Sequence, residues 1–177
     1  MGIVFITAII AFIIWLFATA KPEDQGNVFC KKITDSRSIE DVVSSIGWGR
    51  VYPFYTGMSI DAAEKLVEHN TENIEDFKNS LFFAKMTNFF SHVTLAKPKY
   101  PGIEEVSAHL SADGNISCLS IKLNELGTLM PAYMCLSKKF GTPLSNSSEF
   151  AIWRNRYMVI NLDYSDNSIN IIDERLF

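Results

Sequence analysis

The histidines are the side chains in this sequence best suited to acid–base chemistry, and His109 has the most suggestive neighbours. In an extended strand, His109 would share one face with Ser107 and Ser111, because side chains two residues apart point to the same side. A serine beside a histidine is a fragment of a nucleophilic triad, but the sequence offers no orienting carboxylate or oxyanion donor at a matching spacing. A small hydrolase-like enzyme that uses His109 with a serine or a cysteine is therefore the alternative, and a non-catalytic protein is the preferred interpretation.

Catalytic and metal-binding motifs are missing from the sequence. It contains no G-x-S-x-G, H-E-x-x-H, Walker or dinucleotide-binding pattern. Three carboxylates near the C-terminus, Asp163, Asp166 and Asp173, are dispersed over predicted strands, which favours a solvated face over a calcium site. We therefore expect no catalytic residue, no metal site and no cofactor.

The three cysteines are Cys30, Cys118 and Cys135, and they have no metal-type spacing with the histidines. In an exported domain, one disulfide and one buried thiol would be the natural arrangement, and the sequence does not choose the pairing. Cys118 lies in a strand-like run and Cys135 in a helix-like run. Each of these two is expected to be a small buried hydrophobe.

The composition is typical of one folded domain. Of 177 residues, 47% are hydrophobic, and 16 Lys and Arg against 20 Asp and Glu give a net charge of −4. This apolar content excludes a disordered chain. The lack of a positive excess argues against binding to a run of phosphates, so no nucleic-acid partner is expected.

Residues 3–20 form a continuous apolar segment that is interrupted only by Thr7 and Thr19. As a helix it would span roughly 27 Å, close to the thickness of the hydrocarbon core of a bilayer. We predict that residues 1–20 are a signal peptide, with a small-x-small cleavage site at Ala18–Ala20, or an uncleaved membrane anchor. The positive charges that follow the segment favour a cytoplasmic domain, whereas the cleavage-like site favours export. We prefer a periplasmic location, or an inner-membrane anchor with the domain facing the periplasm.

The rest of the chain is predicted to be a linker over residues 21–35 and a single α+β domain over residues 36–177. Hydrophobic periodicity indicates a helix followed by three strands, twice, in units of about 36–127 and 128–177, with extra helices in the first unit. Ser38 precedes the first apolar stripe and forms an acidic variant of the capping box. A later helix over Leu129–Phe140 is predicted to end at Gly141.

Six runs of residues alternate with the period of a β-strand. They are 89–96, 105–112, 116–123, 150–154, 158–164 and 168–173. Asp113–Asn115 predicts a hairpin, and strands joined by such short turns must be antiparallel neighbours. The predicted architecture is a two-layer sandwich, in which helices cover an antiparallel sheet of about six strands, after one N-terminal hydrophobic helix.

Two short motifs resemble small secreted α+β envelope modules of the SmpA and beta-lactamase-inhibitor-protein type. The helix start at Gly57–Ser59 is similar to theirs, and LSKKFGTP (Leu136–Pro143) followed by Trp153 resembles their helix, Gly-x-Pro and strand-Trp arrangement. The first helix here is not followed by Gly-x-Pro, which departs from that pattern. The resemblance implies a non-catalytic envelope module that binds other proteins, and it implies no site residues.

An aromatic stretch between residues 48 and 55 contains the residue types that dominate protein-binding hot spots. The predicted protein-binding residues are Trp48, Arg50, Tyr52, Phe54 and Tyr55. The alternative is that these rings cover one end of the helical layer. We expect a non-enzymatic module, such as an inhibitor or immunity-type protein, that binds another protein through this segment and the polar sheet face. A structural envelope accessory protein is a further alternative.

Overall fold

A computed structural model describes residues 32–68, 74–87, 92–124 and 128–176. The predicted apolar helix, Cys30 and the first residues of the predicted strand 89–96 lie outside these ranges. Contacts within the chain divide it into Met1–Cys30 and Lys31–Phe177, and all described residues belong to the second unit. Within the described ranges, no helix has the length and apolar character needed to cross a membrane.

Four α-helices lie in the described part of the chain. They are α1 (Ile39–Ser45), α2 (Ile60–Glu68), α3 (Ile74–Met86) and α4 (Leu129–Phe140). The predicted cap of α1 is confirmed, since the Ser38 hydroxyl accepts a hydrogen bond from the Asp41 N–H at 3.2 Å. The predicted end of α4 is also confirmed, because Gly141 follows it with a φ of 86°.

A short 3₁₀ turn, Ile33–Asp35, precedes α1. Ile33 is completely buried, and its backbone N–H donates to the Tyr52 carbonyl at 2.9 Å. This residue lies inside the stretch 21–35 that was predicted to be a linker. The folded part of the chain therefore includes Ile33, before residue 36.

A small antiparallel sheet follows α1. Its strands are β1 (Ile46–Gly47), β2 (Arg50–Val51) and β3 (Phe54–Tyr55). Strands of two residues are too short to show an alternating pattern, so the sequence did not predict this sheet. Pro53 lies in the turn between β2 and β3, which agrees with its exclusion from the middle of a strand.

The main sheet has seven antiparallel strands in the order β4-β5-β6-β10-β9-β8-β7. They are β4 (His92–Ala96), β5 (Ile103–Leu110), β6 (Ile116–Leu123), β7 (Ser145–Asn146), β8 (Phe150–Asn155), β9 (Met158–Asp163) and β10 (Ser168–Asp173). The predicted α+β class and antiparallel sheet are confirmed. The predicted count of about six strands is corrected to seven, plus the separate three-stranded sheet. The additional strand β7 consists of two exposed polar residues, which carry no apolar alternation.

The core lies between the helices and one face of this sheet. Alternate residues such as Val106 and Ala108 on β5 and Ile171 on β10 join helix residues such as Phe77 and Leu136 in one buried cluster. Helix α3 also covers the edge of the sheet, since the Thr94 N–H of β4 donates to the Ser80 hydroxyl at 2.9 Å. That bond occupies a donor that would otherwise be available to another strand.

Candidate functional site

Strand register arranges the side chains opposite the core in three rows across the sheet. The first row is His92, His109, Cys118, Ile172, Val159 and Arg154. The second row is Thr94, Ser107, Ser120, Asn170, Asn161 and Ile152. The third row is Glu105, Lys122, Ser168, Asp163 and Phe150. We call these three rows the open face.

The helices of the described chain pack on the other side of the sheet. All four contribute residues to the buried core, including Val42 in α1, Ala63 in α2, Phe77 in α3 and Leu136 in α4. None of the residues of the open face belongs to that core. A single helical layer therefore leaves the open face without a helical cover among the described residues.

An apolar strip lies along the first row of the open face. Cys118 and Val159 are each only 6% exposed, yet both lie outside the core cluster. Ile172 lies between them in register and is half-buried. Beside the strip, the second row presents the short polar side chains of Ser120, Asn170 and Asn161. The middle of the open face is thus apolar and small-polar, without a charge.

Ion pairs lie around this uncharged middle. They are Lys122–Asp166 (Nζ to Oδ1, 2.6 Å) and Arg154–Glu174 (Nη2 to Oε1, 2.6 Å), and at the same rim His92 Nε2 lies 3.4 Å from Glu105 Oε1. A poorly charged centre with a polar rim is the usual anatomy of a protein–protein interface. The open face therefore combines an uncharged middle with a charged rim.

The surroundings of His109 differ from those of a catalytic base. His109 is exposed, and the Glu105 carboxylate contacts His92 and accepts a hydrogen bond from Thr94 at 3.3 Å instead. Among the described residues, no carboxylate lies within hydrogen-bond distance of the His109 ring. Partial burial against the sheet, reinforced by the neighbouring His92, lowers the pKa of His109. Ser111 lies beyond the end of β5, where its hydroxyl accepts from the Asn115 N–H at 3.3 Å.

The described thiols are poorly suited to act as nucleophiles. Burial raises the pKa of Cys118 to about 12, so this side chain is a neutral thiol at physiological pH. Burial also raises the pKa of Cys135, which is half-buried on α4. Both thiols are free, so they do not pair with each other, and Cys30 lies outside the described residues. Cys118 is buried, as predicted.

The predicted binding segment around residues 48–55 forms the small sheet, and three of its five residues pack inward. Phe54 is only 2% exposed, and Tyr55 packs against the core. The Trp48 ring meets the Phe140 ring edge-on at 4.9 Å between centroids. Arg50 and Tyr52 are half-buried and keep part of their surface accessible. The packing of Trp48, Phe54 and Tyr55 agrees with the alternative in which the rings cover one end of the helical layer.

The three C-terminal carboxylates have separate partners. Asp163 accepts hydrogen bonds from the Ser165 hydroxyl at 2.7 Å and from two backbone N–H groups, which lower its pKa. Asp166 pairs with Lys122, and Asp173 pairs with Arg175 at 2.7 Å, a contact that lowers the pKa of Asp173. Over the described ranges, no group of three or more His, Cys, Asp or Glu side chains is arranged to hold a metal ion.

The sequence alone did not single out the central residues of the open face, Ile172, Asn170 and Asn161. Their alternation was visible, but nothing local showed that β10 lies between β6 and β9. The comparisons with known proteins gave no match, whether to a protein-family model, to a curated protein or to a solved structure.

Proposed function

We propose that this protein is a non-enzymatic binding module that holds another protein against its open face. The observation that carries the proposal is the apolar strip formed by Cys118, Ile172 and Val159, which lies on the side of the sheet away from the described helices. Because Cys118 and Val159 are only 6% exposed, the apolar surface that a partner would shield from water at the centre of the polar rim is mainly that of the half-buried Ile172. The surface is also pre-formed, because it is built on regular strands and not on loops.

A polar group in the middle of the open face supports the same proposal. The Asn161 side-chain oxygen is shielded from solvent and has no hydrogen-bond partner among the described residues. The neighbouring Asn170 amide donates to the Ser168 hydroxyl at 3.0 Å, which orients it. Because the oxygen is shielded, a partner's donor would pair with it only if the Asn161 side chain turned outward on binding, and that pairing would relieve the cost of a buried unpaired acceptor. A partner that offers a donor there would be favoured over one that does not.

We also infer that the domain is built from the two predicted α-β-β-β units, with the two-residue strand β7 added to the second, and that the units meet at the antiparallel pair β6 and β10. Cys118 on β6 and Ile172 on β10 are direct partners in that pair. The apolar strip therefore crosses the junction, and it forms only when both halves are folded together. This arrangement couples binding to the integrity of the whole domain.

Sequence features support the proposed place of action. The apolar segment 3–20 supports membrane targeting, and the cleavage-like Ala18–Ala20 supports export to the periplasm. The resemblance to envelope modules supports an inhibitor or immunity-type role toward another envelope protein. In this proposal Arg50 and Tyr52, the accessible residues of the 48–55 segment, form a secondary contact.

The test is site-specific photo-crosslinking of the full chain in its native membrane fraction. A photoreactive phenylalanine analogue at position 170 should trap one protein, which mass spectrometry identifies. Replacing Ser120, half-buried beside Asn170, with arginine should abolish the crosslink, because a large charge would enter the centre of the surface.

The matched control is Met134→Arg, which places the same charge on the exposed side of α4, where Met134 is 65% exposed. This variant should retain the crosslink, and circular dichroism should show that both variants are folded. Equal trapping of the same protein by the Ser120→Arg and Met134→Arg variants would show that the open face is not the binding surface.

A further inference from the structure

The last turns of α3 expose three large apolar side chains. Phe82, Phe83 and Met86 are 62%, 61% and 66% exposed. The two phenylalanine rings meet edge-on, 6.1 Å apart between centroids. The opposite side of the same helix is buried through residues such as Phe77 and Leu81, so the exposed set is not part of the core. We call Phe82, Phe83 and Met86 the α3 patch.

The size of the α3 patch argues against a second copy of this protein as its occupant. At about 60% exposure, three side chains of this size offer on the order of 350 Å² of apolar surface. A stable protein–protein interface takes roughly 800 Å² from each partner. A patch of this area is comparable to the largest apolar patch on a typical monomer, and such patches are often places of contact.

The charged residues around the α3 patch indicate which kind of partner would contact it. Lys78 and Lys85 are exposed and lie four residues before and three residues after Phe82, so both are its neighbours on the helix surface. The acidic residues of α3, Glu75 and Asp76, are in its first turn, and Asp76 pairs with Lys97 at 2.8 Å. Aromatic and thioether side chains flanked by lysines are typical of helices that lie in the interface of an anionic bilayer.

We propose that the α3 patch is a membrane-contacting surface, which enters the headgroup region of an anionic bilayer. The inference rests on the membrane attachment proposed above, in its uncleaved form. Residues 21–31 reach at most roughly 36 Å, at about 3.3 Å per residue. A domain of this length has a radius of gyration of about 15 Å. The tether therefore permits the patch to meet the bilayer that holds residues 3–20.

Three methionines make the test internally controlled. Met86, Met130 and Met134 are 66%, 66% and 65% exposed, and only Met86 belongs to the α3 patch. The full chain is reconstituted into vesicles of phosphatidylcholine and phosphatidylglycerol and treated with hydrogen peroxide, and peptide mass spectrometry follows the oxidation of each methionine to its sulfoxide. Each rate is divided by the rate of the same methionine in the denatured chain. We expect Met86 to react about fivefold more slowly than the other two, because lipid shields it.

Two variants separate lipid contact from other causes of protection. The double variant Phe82→Asp, Phe83→Asp should bring the Met86 rate to that of Met130 and Met134. The double variant Lys78→Glu, Lys85→Glu leaves the rings in place, and it should weaken the protection of Met86 on anionic vesicles. Circular dichroism checks that both variants fold.

The possible results distinguish failure of the membrane-contacting surface from failure of the membrane attachment. If the chain floats with the vesicles and all three methionines react equally, the attachment stands and the membrane-contacting surface is wrong. If the chain does not float, the attachment fails, and the inference fails with it. If protection of Met86 disappears when fewer copies are placed on each vesicle, a second copy covers the patch, and the inference is again wrong.

Discussion

His92 and His109 face each other across β4 and β5, with their ring centroids 6.2 Å apart. Glu105 lies beside His92, and Cys118 is the next residue of the row after His109. Partial burial and the neighbouring His92 lower the pKa of His109. The folded state therefore prefers the neutral imidazole, whereas the unfolded chain takes up a proton near pH 6.5. The contribution of His109 to the free energy of unfolding is therefore present above pH 6.5, and it is lost as the pH falls from that value through the pKa of His109 in the folded state.

The first prediction concerns this pH dependence. Between pH 7 and pH 5, the free energy of unfolding of the native protein should fall relative to that of a His109→Gln variant, which cannot take up the proton. Urea unfolding at a series of pH values measures the difference. Asp163 and Asp173 have lowered pKa values, so the stability that they contribute is lost only below the ordinary pKa of a carboxyl group. Their titration therefore does not affect the comparison between pH 7 and pH 5. If the free energy of unfolding depended on pH in the same way for both proteins, the prediction that His109 causes the loss of stability would be wrong.

The second prediction concerns the effect of His92 on the pKa of His109. In a His92→Gln variant the pKa of His109 should rise toward its ordinary value, because a positive charge is removed from its side. Burial remains the larger cause, so the recovery should be partial. Nuclear magnetic resonance titration of the ring protons measures the shift, and an unchanged pKa in the variant would remove His92 as a cause.

A third prediction concerns the thiols. With a pKa of about 12, the Cys118 thiolate fraction at pH 8 is on the order of 10³-fold below that of an ordinary cysteine. Iodoacetamide should therefore modify Cys118 far more slowly than the half-buried Cys135 in the native protein. Peptide mass spectrometry measures both rates, and the two should become equal in denaturant. Rapid native modification of Cys118 would show that the open face is more accessible there than its burial indicates.

The indole of Trp153 connects β8 to the end of α4. Its N–H donates to the Gly141 carbonyl at 2.8 Å, and the side chain is 1% exposed. A Trp153→Phe substitution leaves that carbonyl unpaired and removes buried volume, which should cost about 1–3 kcal/mol of unfolding free energy. Trp48→Phe is the matched control, and its cost should be smaller because Trp48 is half-buried. Chemical denaturation measures both; equal losses would contradict the special role of Trp153.

The ammonium group of Lys139 closes the C-terminal end of α1. It donates to the carbonyls of Val43 at 2.8 Å and Ser44 at 2.9 Å, and also to that of Ile46. Lys139→Met should lower the free energy of unfolding by about 1.5–3 kcal/mol, because these bonds involve a charge. Lys138→Met, on the exposed side of the same helix, should change it by less than about 0.5 kcal/mol. Thermal or urea unfolding of both variants makes the comparison, and a similar cost for both would show that α1 does not depend on Lys139.

Much of the local structure could be predicted from the sequence because its causes are local. The Ser38 cap, the Gly141 stop and the turn at Asp113–Asn115 each depend on residues within a few positions of one another. Alternation likewise located the long strands of the main sheet, including β5 and β6. The two-residue strands of the small sheet and β7 have no such local cause, so they were missed.

The residue types of the 48–55 segment alone could not predict that Trp48, Phe54 and Tyr55 pack inward. Trp48, Phe54 and Tyr55 have side chains of the kind found at binding hot spots, but the same rings also fill cores. The inward packing depends on the tertiary structure. Phe140 of α4 contacts Trp48, and the core contains Phe54 and contacts Tyr55.

The amino-acid sequence alone determined the α+β class, the order of the long strands and of the first and last helices, and which residues of each long strand share a face. Only the tertiary structure decided that β6 and β10 are neighbours, although Cys118 and Ile172 are more than 50 residues apart in the chain. The physical reason is that alternation separates two faces within one strand, while the pairing of distant strands depends on how the whole core closes. The open face is therefore a product of long-range packing.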